Sequence, residues 1–237
     1  MNSLLNDCLL QMNINHNEDC ITKLNEYYKM LIEKNTVMNL TAITEYDEVV
    51  IKHFVDSIAI SQVFDMNNVL NIIDIGTGAG FPGIVLKIFY PEANFTLLDS
   101  LNKRINFLNE VISALNLNKI NAEHGRAEDF ARLNTHREHY DLCVSRAVAN
   151  LSTLAEYSLP FVKVGGYFIS YKAEDCIEEV NSAKNAIYKL GGEIVDTVMY
   201  KIPNSDITRA FVIIKKVNHT SGKYPRKAGL PAKEPLC

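Results

Sequence analysis

The chain has 237 residues, of which 47% are hydrophobic and 22% are charged, and its formal net charge is -4. This composition is that of an ordinary globular protein, and the acidic balance means that any nucleic-acid-binding surface must be local. No apolar run approaches the roughly 18 residues of a membrane span, and residues 1–10 lack the Lys or Arg of a signal peptide. The cysteines are scattered without metal-binding or redox spacing, so we expect free thiols, a cytoplasmic location and no membrane.

Helical periodicity dominates residues 1–65, which we assign to an N-terminal helical extension. The apolar positions are Ile21, Leu24, Tyr28, Leu31 and Ile32 on one stripe, and Val50, Phe54, Ile58 and Val63 on another. Asn39-Leu40-Thr41 lies between the two stripes as a turn and cap. His53 and Asp56 lie three residues apart, on one helix face. We interpret them as a polar contact between these helices and the edge of the following sheet.

Predicted strands and helices alternate over residues 66–217, which we assign to a core domain. The predicted strands are 70–74, 95–99, 120–124, 141–145 and 166–172, and the predicted helices are 82–89, 103–115, 151–161 and 175–190. Alternation of this kind predicts an α/β doubly wound, mostly parallel sheet with helices on both faces. Two last strands, 193–202 and 209–216, are joined by a turn-forming cluster. They predict a hairpin that adds one antiparallel edge strand.

A strand followed by a glycine-rich turn occupies residues 71–83, with the sequence NIIDIGTGAGFPG. Asp74 ends the strand, where its carboxylate can orient the turn or meet a cationic ligand through water. Gly76, Gly78 and Gly80 follow at alternating positions, and a Cβ atom there would hold a ligand away from the backbone. The pattern indicates a nucleotide-like cofactor on this turn. A tight strand–helix turn without a ligand is the alternative.

Two polar segments end the next predicted strands. Asp99 ends the second strand, where an acidic residue grips ribose hydroxyls in nucleotide-binding sheets, and it could otherwise cap the following helix. The segment Gly125-Arg126-Ala127-Glu128-Asp129 follows the third strand. Because cofactors bind at the carboxyl edge of open α/β sheets, we expect both segments to lie near the glycine turn.

The glycine spacing favours one cofactor over the others. A dinucleotide site would show G-x-G-x-x-G, whereas this chain has G-x-G-x-G with Asp74 just upstream. A phosphate-binding loop would end in Gly-Lys followed by Ser or Thr, which is absent from residues 71–83. The pattern favours S-adenosylmethionine, which has a sulfonium and an amino-acid tail in place of phosphates. A nicotinamide dehydrogenase is a weaker alternative.

Basic side chains end the fourth and fifth predicted strands, where a substrate would meet the sheet. We predict that Arg146 and Lys172 position the substrate without acting as acid or base. Arg146 could contact a phosphate, a base edge or the cofactor's carboxylate, or it could form an ion pair that pins a neighbouring loop. Lys172 could instead be a solvated strand end. His136 and His139 lie in a charged stretch without ligand spacing, and we expect no metal site.

The segment 218–237 is basic and has little apolar pattern, so we expect an extended tail. Tyr224 lies among Lys223, Arg226 and Lys227, an arrangement that suits base stacking and phosphate contacts in RNA. We expect removal of the tail to weaken RNA binding and to leave cofactor affinity unchanged. A solvated tail that aids solubility is the alternative.

The order of several motifs resembles the bacterial RsmG (GidB) family. These motifs are Asn39-Leu40-Thr41, His53 with Asp56-Ser57, the turn at 74–83, residues 95–100 with Lys103-Arg104, Ser145-Arg146-Ala147, and residues 224–229. The last of them resembles the ending of Gram-positive members. The resemblance spans nearly the whole chain and is weakest over residues 1–19 and 175–206.

The resemblance implies a class I methyltransferase with a Rossmann-like core. It implies methyl transfer from S-adenosylmethionine to N7 of one guanosine in 16S ribosomal RNA, with the RNA or the small ribosomal subunit as partner. We expect a monomer, and the sequence itself gives no oligomeric state. The family's cofactor contacts carry over onto Gly76, Phe81, Ala127, Glu128 and Arg146. Guanine N7 has a free lone pair and no proton, so in-line attack needs no general base.

Other functions stay open from the residues alone. One is a methyltransferase for a small molecule or a protein, and another is a non-enzymatic module that binds RNA or a nucleotide on the same fold. The sequence also leaves open whether an RNA substrate is naked, part of an assembly intermediate or part of the mature subunit.

Overall fold

The computed structural model describes residues 3–237. Its strands are β1 (Asn71–Ile75), β2 (Asn94–Asp99), β3 (Ile120–His124), β4 (Tyr140–Arg146), β5 (Val162–Ala173), β6 (Gly192–Lys201) and β7 (Thr208–Lys216). The helices before the sheet are α1 (Ser3–Gln11), α2 (Glu18–Met38), α3 (Tyr46–Val49) and α4 (Asp56–Ile58). A π-helical turn (Val50–Val55) joins α3 to α4, and a 3-10 turn (Ala59–Gln62) follows. The later helices are α5 (Gly83–Phe89), α6 (Asn102–Ala114), α7 (Ala127–Phe130), α8 (Leu151–Ser158) with a 3-10 turn (Leu159–Phe161), α9 (Ile177–Lys189) and α10 (Leu230–Lys233).

The seven strands form one sheet in the order β3-β2-β1-β4-β5-β7-β6. The first five strands in this order are parallel, and β7 runs antiparallel to both β5 and β6. The predicted doubly wound sheet with an antiparallel hairpin at its edge is confirmed. Within the hairpin, the antiparallel strand β7 lies one place in from the edge because β6 takes the outermost position. The strand order reverses between β1 and β4, and ligands bind outside the carboxyl ends of the strands at such a reversal.

Alternation along the strands divides the core between the two faces of the sheet. Ile72 and Val144 pack with the N-terminal helices, α5 and α6, whereas Ile73 and Cys143 pack with α8 and α9. Successive strand side chains point to opposite faces, so a continuous apolar strand serves both layers. The buried strands therefore hold their carboxyl ends rigidly in one row, which is the edge where the polar residues meet.

Helix α2 packs the N-terminal segment against α5 and α6, the helices that cover one face of this sheet. The Asn17 side chain accepts a hydrogen bond from the Cys20 amide at the start of the helix, and Asn39 ends it in the left-handed region at φ +49°. These are typical roles of asparagine at helix ends, and they confirm the predicted turn at Asn39. The predicted stripe omits Tyr27, which is fully buried, and two of its members, Tyr28 and Ile32, are only half-buried. The hydroxyl of Tyr27 donates to the carbonyl of Ala79 in the glycine turn at 2.5 Å, which explains how a tyrosine can lie in the core.

The expectation of an extended C-terminal tail is wrong. Residues 218–237 fold back over α8, where Tyr224 and Pro231 are buried. The guanidinium of Arg226 binds Glu156, whose side chain is 0% exposed. A buried carboxylate needs a partner of opposite charge, and a cation of the tail provides it. Arg226, which the sequence places in a basic tail, is therefore part of the packed structure.

Candidate active site

The glycine turn between β1 and α5 has the backbone conformation that its sequence predicts. Gly76, Gly78 and Gly80 have φ values of +68°, +63° and +109°, which L side chains rarely adopt. Asp74 lies buried beneath the turn, where its Oδ2 accepts hydrogen bonds from the Thr77 hydroxyl at 2.7 Å and the Gly83 amide at 2.9 Å. Asp74 therefore orients the backbone of the turn, one of its two predicted roles. Burial raises the pKa of its carboxyl to about 6.

Asp99 joins the glycine turn to the end of β2. Its Oδ2 accepts from the Gly78 amide at 3.0 Å and from Arg104 Nη1 at 3.1 Å, and its Oδ1 accepts from the Leu101 amide at 2.9 Å. The bond to Leu101 forms a turn just before α6, but the N-cap of that helix is Leu101 and receives no side-chain cap bond, so the capping alternative for Asp99 is not observed. An ionised carboxylate offers about four acceptor positions, so Asp99 keeps capacity for a ligand hydroxyl.

A pocket of about 300 Å³ opens at the carboxyl ends of β1, β2 and β3. We name it the Gly76 pocket, after the residue at its base. Gly76, Asp99, Ala127 and Glu128, which the sequence selected independently, line it together. A Cβ atom at position 76 would lie 2.5 Å from Val148 Cγ2, so only glycine leaves this base open. The volume and the mixed polar lining fit a small cofactor with a ribose.

Other predicted cofactor residues lie outside the lining of the Gly76 pocket. Asp74, Gly78 and Gly80 build the turn from behind, and a Cβ atom at Gly80 would meet Ile84 at 2.6 Å. Phe81 packs against the His53 ring with centroids 4.5 Å apart, on the side of the N-terminal helices.

A second pocket, of about 610 Å³, lies on the other side of the β4 end. We name it the Arg146 pocket. Arg146 and Lys172, the two residues predicted to position the substrate, both line it. The π-helical turn adds Lys52 and His53, and β7 adds Arg209. π-helical turns recur at functional sites, and this one places two side chains of the N-terminal segment in the pocket.

Asp56 organises the cations of the Arg146 pocket. Its carboxylate is 1% exposed and binds Arg146 Nη1 through Oδ2 and Arg209 Nε through Oδ1, both at 2.7 Å. The interpretation of Asp56 as a polar contact between the N-terminal helices and the sheet is confirmed. The ion-pair alternative for Arg146 is observed as well. Two guanidiniums share one carboxylate, which leaves local positive charge for an anionic ligand.

Lys172 is held by a second acidic residue at the rim of the Arg146 pocket. Its Nζ binds Glu179 Oε1 at 2.7 Å and donates to the Ala149 carbonyl at 2.9 Å. The side chain is only 12% exposed, so it is not a solvated strand end.

His53 is neutral at physiological pH. Burial and the nearby Arg146 lower the pKa of its imidazole to about 4. The ring Nε2 lies 2.9 Å from the Thr41 hydroxyl, and one face covers Phe81. His53 therefore supplies a neutral, partly apolar wall to the Arg146 pocket.

The two pockets meet at the segment that follows β4. Ala147 lines the Arg146 pocket and has φ +57°, whereas Val148 lines the Gly76 pocket. A non-glycine residue in the left-handed region is strained, and such strain persists where the surrounding structure imposes it. Two adjacent residues thus separate the pockets, so that a group held in one lies next to a group held in the other.

Several lining residues escaped sequence reasoning. In the sequence, Arg209 is distinguished only as the first residue of the predicted strand 209–216, and Val148 and Ala232 are not selected. The signal for Arg209 was its position at the start of a strand predicted to pair at the sheet edge. Gly229 stands out in the sequence only as the last residue of the motif at 224–229, and Ala232 gives no local signal, because the place of both residues depends on how the chain folds back.

Two features are not found in the described part of the chain. Across residues 3–237, no group of His, Cys, Asp and Glu side chains is arranged to hold a metal ion. No helix within the same range is both long and apolar enough to span a bilayer.

Comparison with known proteins identifies the family. A family model described as "GidB: rRNA small subunit methyltransferase G" matches residues 20–218. The chain is 48% identical over 233 residues to ribosomal RNA small subunit methyltransferase G of Alkaliphilus metalliredigens, and the match covers 98% of each chain. It is 51% identical over 225 residues to the protein of the same name from Alkaliphilus oremlandii, covering 95% of this chain and 94% of that one.

Solved structures with low sequence identity show the same fold. M. jannaschii TYW2 in complex with AdoMet has a TM-score of 0.52 at 17% identity, covering 65% of this chain and 72% of that chain. The YcgJ protein from Bacillus has a TM-score of 0.54 at 12% identity, covering 70% of this chain and 100% of that chain. The fold is thus that of class I methyltransferases, and the match across residues 20–218 shows that the chain belongs to the GidB family, described as rRNA small subunit methyltransferase G.

Proposed function

We propose that this chain transfers a methyl group from S-adenosylmethionine to N7 of one guanosine in 16S ribosomal RNA. The coarser statement follows from its family: the chain is an S-adenosylmethionine-dependent ribosomal RNA methyltransferase. The observation that supports the finer proposal is the pair of adjoining pockets at the reversal of strand order. The Gly76 pocket suits the methyl donor, and the cationic Arg146 pocket suits a nucleotide.

The residues of the Gly76 pocket fit the donor in size and chemistry. When bound, S-adenosylmethionine supplies an electrophilic methyl group on a sulfonium. We propose that Asp99 accepts from the ribose hydroxyls and that Ala127 and Glu128 hold the adenine ring, as the resemblance implies. The glycine turn, oriented from below by Asp74, would lie against the methionine part.

The Arg146 pocket supplies charge without acid–base chemistry. Guanine N7 carries a lone pair and no proton, so no side chain needs to remove one. Arg146, Arg209 and Lys172 are held by carboxylates and would position the nucleotide through its phosphate or base edge. Neutral His53 fits this role because it adds a flat surface without further charge. Catalysis then depends mainly on alignment of the two reactants and on exclusion of water.

The expectation that the enzyme acts as a monomer stays a proposal. We also propose that residues 1–65 and 218–237 are integral to the two sites, because Lys52 and His53 line one pocket and Gly229 lines the other.

Mass mapping of methylated nucleotides tests the proposed function. Small-subunit RNA from cells that lack the gene should lose one N7-methylguanosine, and expression of the wild-type gene should restore it. Purified protein with labelled S-adenosylmethionine should methylate small subunits from the deficient cells but not from complemented cells. Methyl transfer to a base atom other than guanine N7 would contradict the proposal, and so would an unchanged RNA.

A further inference from the structure

The C-terminal segment forms one side of the Gly76 pocket. Gly229 and Ala232 line the pocket beside Glu128, and the Gly229 amide donates to Glu128 Oε1 at 2.8 Å. Gly229 has φ +82°, and a Cβ atom there would meet nothing within 4 Å. Backbone conformation, rather than space, therefore requires glycine at this position. The carboxylate that we assign to the cofactor is thus held in place by the segment that we expected to be a free tail.

A buried ion pair fixes the position of this segment. Glu156 on α8 is 0% exposed, and its Oε2 binds Arg226 Nη2 at 2.7 Å. Its Oε1 accepts from Arg226 Nε at 2.9 Å and from the Arg226 backbone amide at 2.7 Å. Bidentate pairs of this kind are geometrically specific, and leaving Glu156 buried without a partner would be strongly unfavourable. The segment therefore has one preferred position.

Further contacts hold both ends of the segment. The Arg137 guanidinium donates to the carbonyls of Thr220 at 2.7 Å and Tyr224 at 3.0 Å. The Thr153 hydroxyl donates to the Pro231 carbonyl at 3.0 Å. These donors belong to the core domain, so the segment is attached to the core before and after Arg226.

We propose that Arg226 is a positioning residue for the cofactor, and that Gly229 and Ala232 form the wall of its site at the adenosine end. The wall lies at Glu128, next to the residues suited to the ribose and the adenine. Arg226 acts through Gly229: the ion pair with Glu156 places the Gly229 amide against Glu128. The inference uses the cofactor of the proposed function, but its test measures binding alone and needs no RNA.

The first experiment uses a large side chain on this wall to reduce the volume of the Gly76 pocket. Ala232 is exposed and lines the pocket, so the indole of an Ala232→Trp variant is large enough to enter it. The control is Lys233→Trp, which places the same side chain at the neighbouring exposed position outside the lining. By isothermal titration calorimetry, Ala232→Trp should raise the Kd for S-adenosylmethionine about tenfold or more, whereas Lys233→Trp should stay within about twofold. The Kd for S-adenosylhomocysteine should rise by the same factor, because the wall is at the adenosine end. Equal binding by the two variants would overturn the proposal, and so would a large effect on only one of the two ligands.

The second experiment tests Arg226 itself. Arg226→Gln removes the ion pair, and Lys227→Gln removes one charge from the adjacent exposed position of the same segment. Arg226→Gln should raise the Kd for both ligands about tenfold, as expected for loss of a charged hydrogen-bond network, and Lys227→Gln should stay near wild type. Arg226→Lys keeps the positive charge but lacks the planar guanidinium, so it should bind both ligands more tightly than Arg226→Gln and less tightly than wild type. A folded Arg226→Gln variant, verified by circular dichroism, that binds within about twofold of wild type would refute the positioning role. If that variant does not fold, the tryptophan pair still decides whether the segment is a wall of the site.

The two proposals fail in different ways. If the wild-type protein binds S-adenosylmethionine but methylates no small-subunit RNA, the proposed function fails, and a weakened Ala232→Trp variant would still establish the wall. If methylation occurs and Ala232→Trp binds both ligands like wild type, the proposed function stands and the wall does not.

Discussion

At the scale of single residues, Asp56 determines the charge of the Arg146 pocket. Its buried carboxylate receives Arg146 from β4 and Arg209 from β7, two strands that are separated by β5 in the sheet. The N-terminal segment thus supplies the anion that brings two distant cations together. Removal of either guanidinium leaves the carboxylate with the other one, so the structure tolerates the loss better than an isolated buried pair would.

This arrangement predicts the behaviour of Arg146→Ala. Turnover on small subunits should fall about a hundredfold, because the group that positions the nucleotide is lost. The Kd for S-adenosylmethionine should change by less than about threefold, since Arg146 lines the other pocket. Steady-state kinetics and calorimetry measure the two effects, with the exposed Lys201→Ala as control. A large loss of cofactor affinity would instead favour the cofactor contact that the family resemblance implies for Arg146.

The half-buried His53 and the buried Asp74 predict opposite dependences of stability on pH. The folded-state pKa of His53 is lowered to about 4 from its ordinary 6.5, so the unfolded chain binds more protons between these values. The stability contributed by neutral His53 is therefore present above pH 6.5 and is lost as pH falls towards 4. The folded-state pKa of Asp74 is raised to about 6 from 3.8. Its contribution has the opposite sign and decreases as pH rises through that window.

Urea unfolding of His53→Gln and Asp74→Asn between about pH 4.5 and pH 7 measures these contributions separately. Loss of His53 should remove a component that rises with pH, so stability should rise less steeply than in wild type. Loss of Asp74 should remove a component that falls with pH, so stability should rise more steeply. If both substitutions changed the slope of the unfolding free energy against pH in the same direction, the opposite pKa shifts of His53 and Asp74 would be contradicted.

At the scale of elements, the glycines of the β1–α5 turn have different structural roles. A Cβ atom at Gly80 would lie 2.7 Å from the Tyr27 hydroxyl, whereas a Cβ atom at Gly78 would meet nothing closer than 4.0 Å. A side chain at position 78 would therefore add only the conformational strain of an L residue with a left-handed backbone. Position 80 adds a steric conflict with the N-terminal helices.

Alanine substitutions should separate these two costs. Gly78→Ala should lower the free energy of unfolding by about 1 kcal/mol, the typical strain of an L residue in the left-handed region. Gly80→Ala should lower it by about 3 kcal/mol because overpacking adds to that strain. Denaturant unfolding of both variants at pH 7 provides the comparison. Equal losses would show that Tyr27 can move aside at little cost.

The elements of the core could be predicted because their patterns are local. Apolar runs and helical stripes gave every strand and the major helices of the core domain within a few residues, and the glycine turn with Asp99 and Glu128 gave much of one pocket. Strand ends mark the sheet edge where ligands bind, so Arg146 and Lys172 could also be selected. Each of these inferences required only neighbouring residues and the known connection rules of α/β sheets.

The remaining features depend on contacts between distant parts of the chain. Glu156 and Arg226 lie 70 positions apart, and neither residue type shows in the sequence that it will be buried. The C-terminal segment has too little apolar periodicity to reveal that it packs, because its position depends on one ion pair and on hydrogen bonds to backbone carbonyls. The same limit explains why Arg209 was not connected with Asp56.

At the scale of the whole molecule, a net charge of -4 must be reconciled with an RNA substrate. The structure concentrates Lys52, Arg146, Lys172 and Arg209 around one pocket, so binding should depend on local charge. Raising salt from 50 to 200 mM should weaken binding to small subunits roughly a hundredfold if about four phosphates are neutralised. Affinity for S-adenosylmethionine, measured in the same buffers, should change little. Filter binding supplies the first quantity, and a salt-independent affinity for subunits would show that phosphate contacts are minor.

The position of the Gly229–Glu128 contact in the chain separates one wall of the Gly76 pocket from the sheet. Every strand of the sheet precedes Gly229. Because proteins open locally as well as globally, release of the C-terminal segment would remove this wall and leave all seven strands paired. The site could then lose its hold on the methyl donor without unfolding of the sheet.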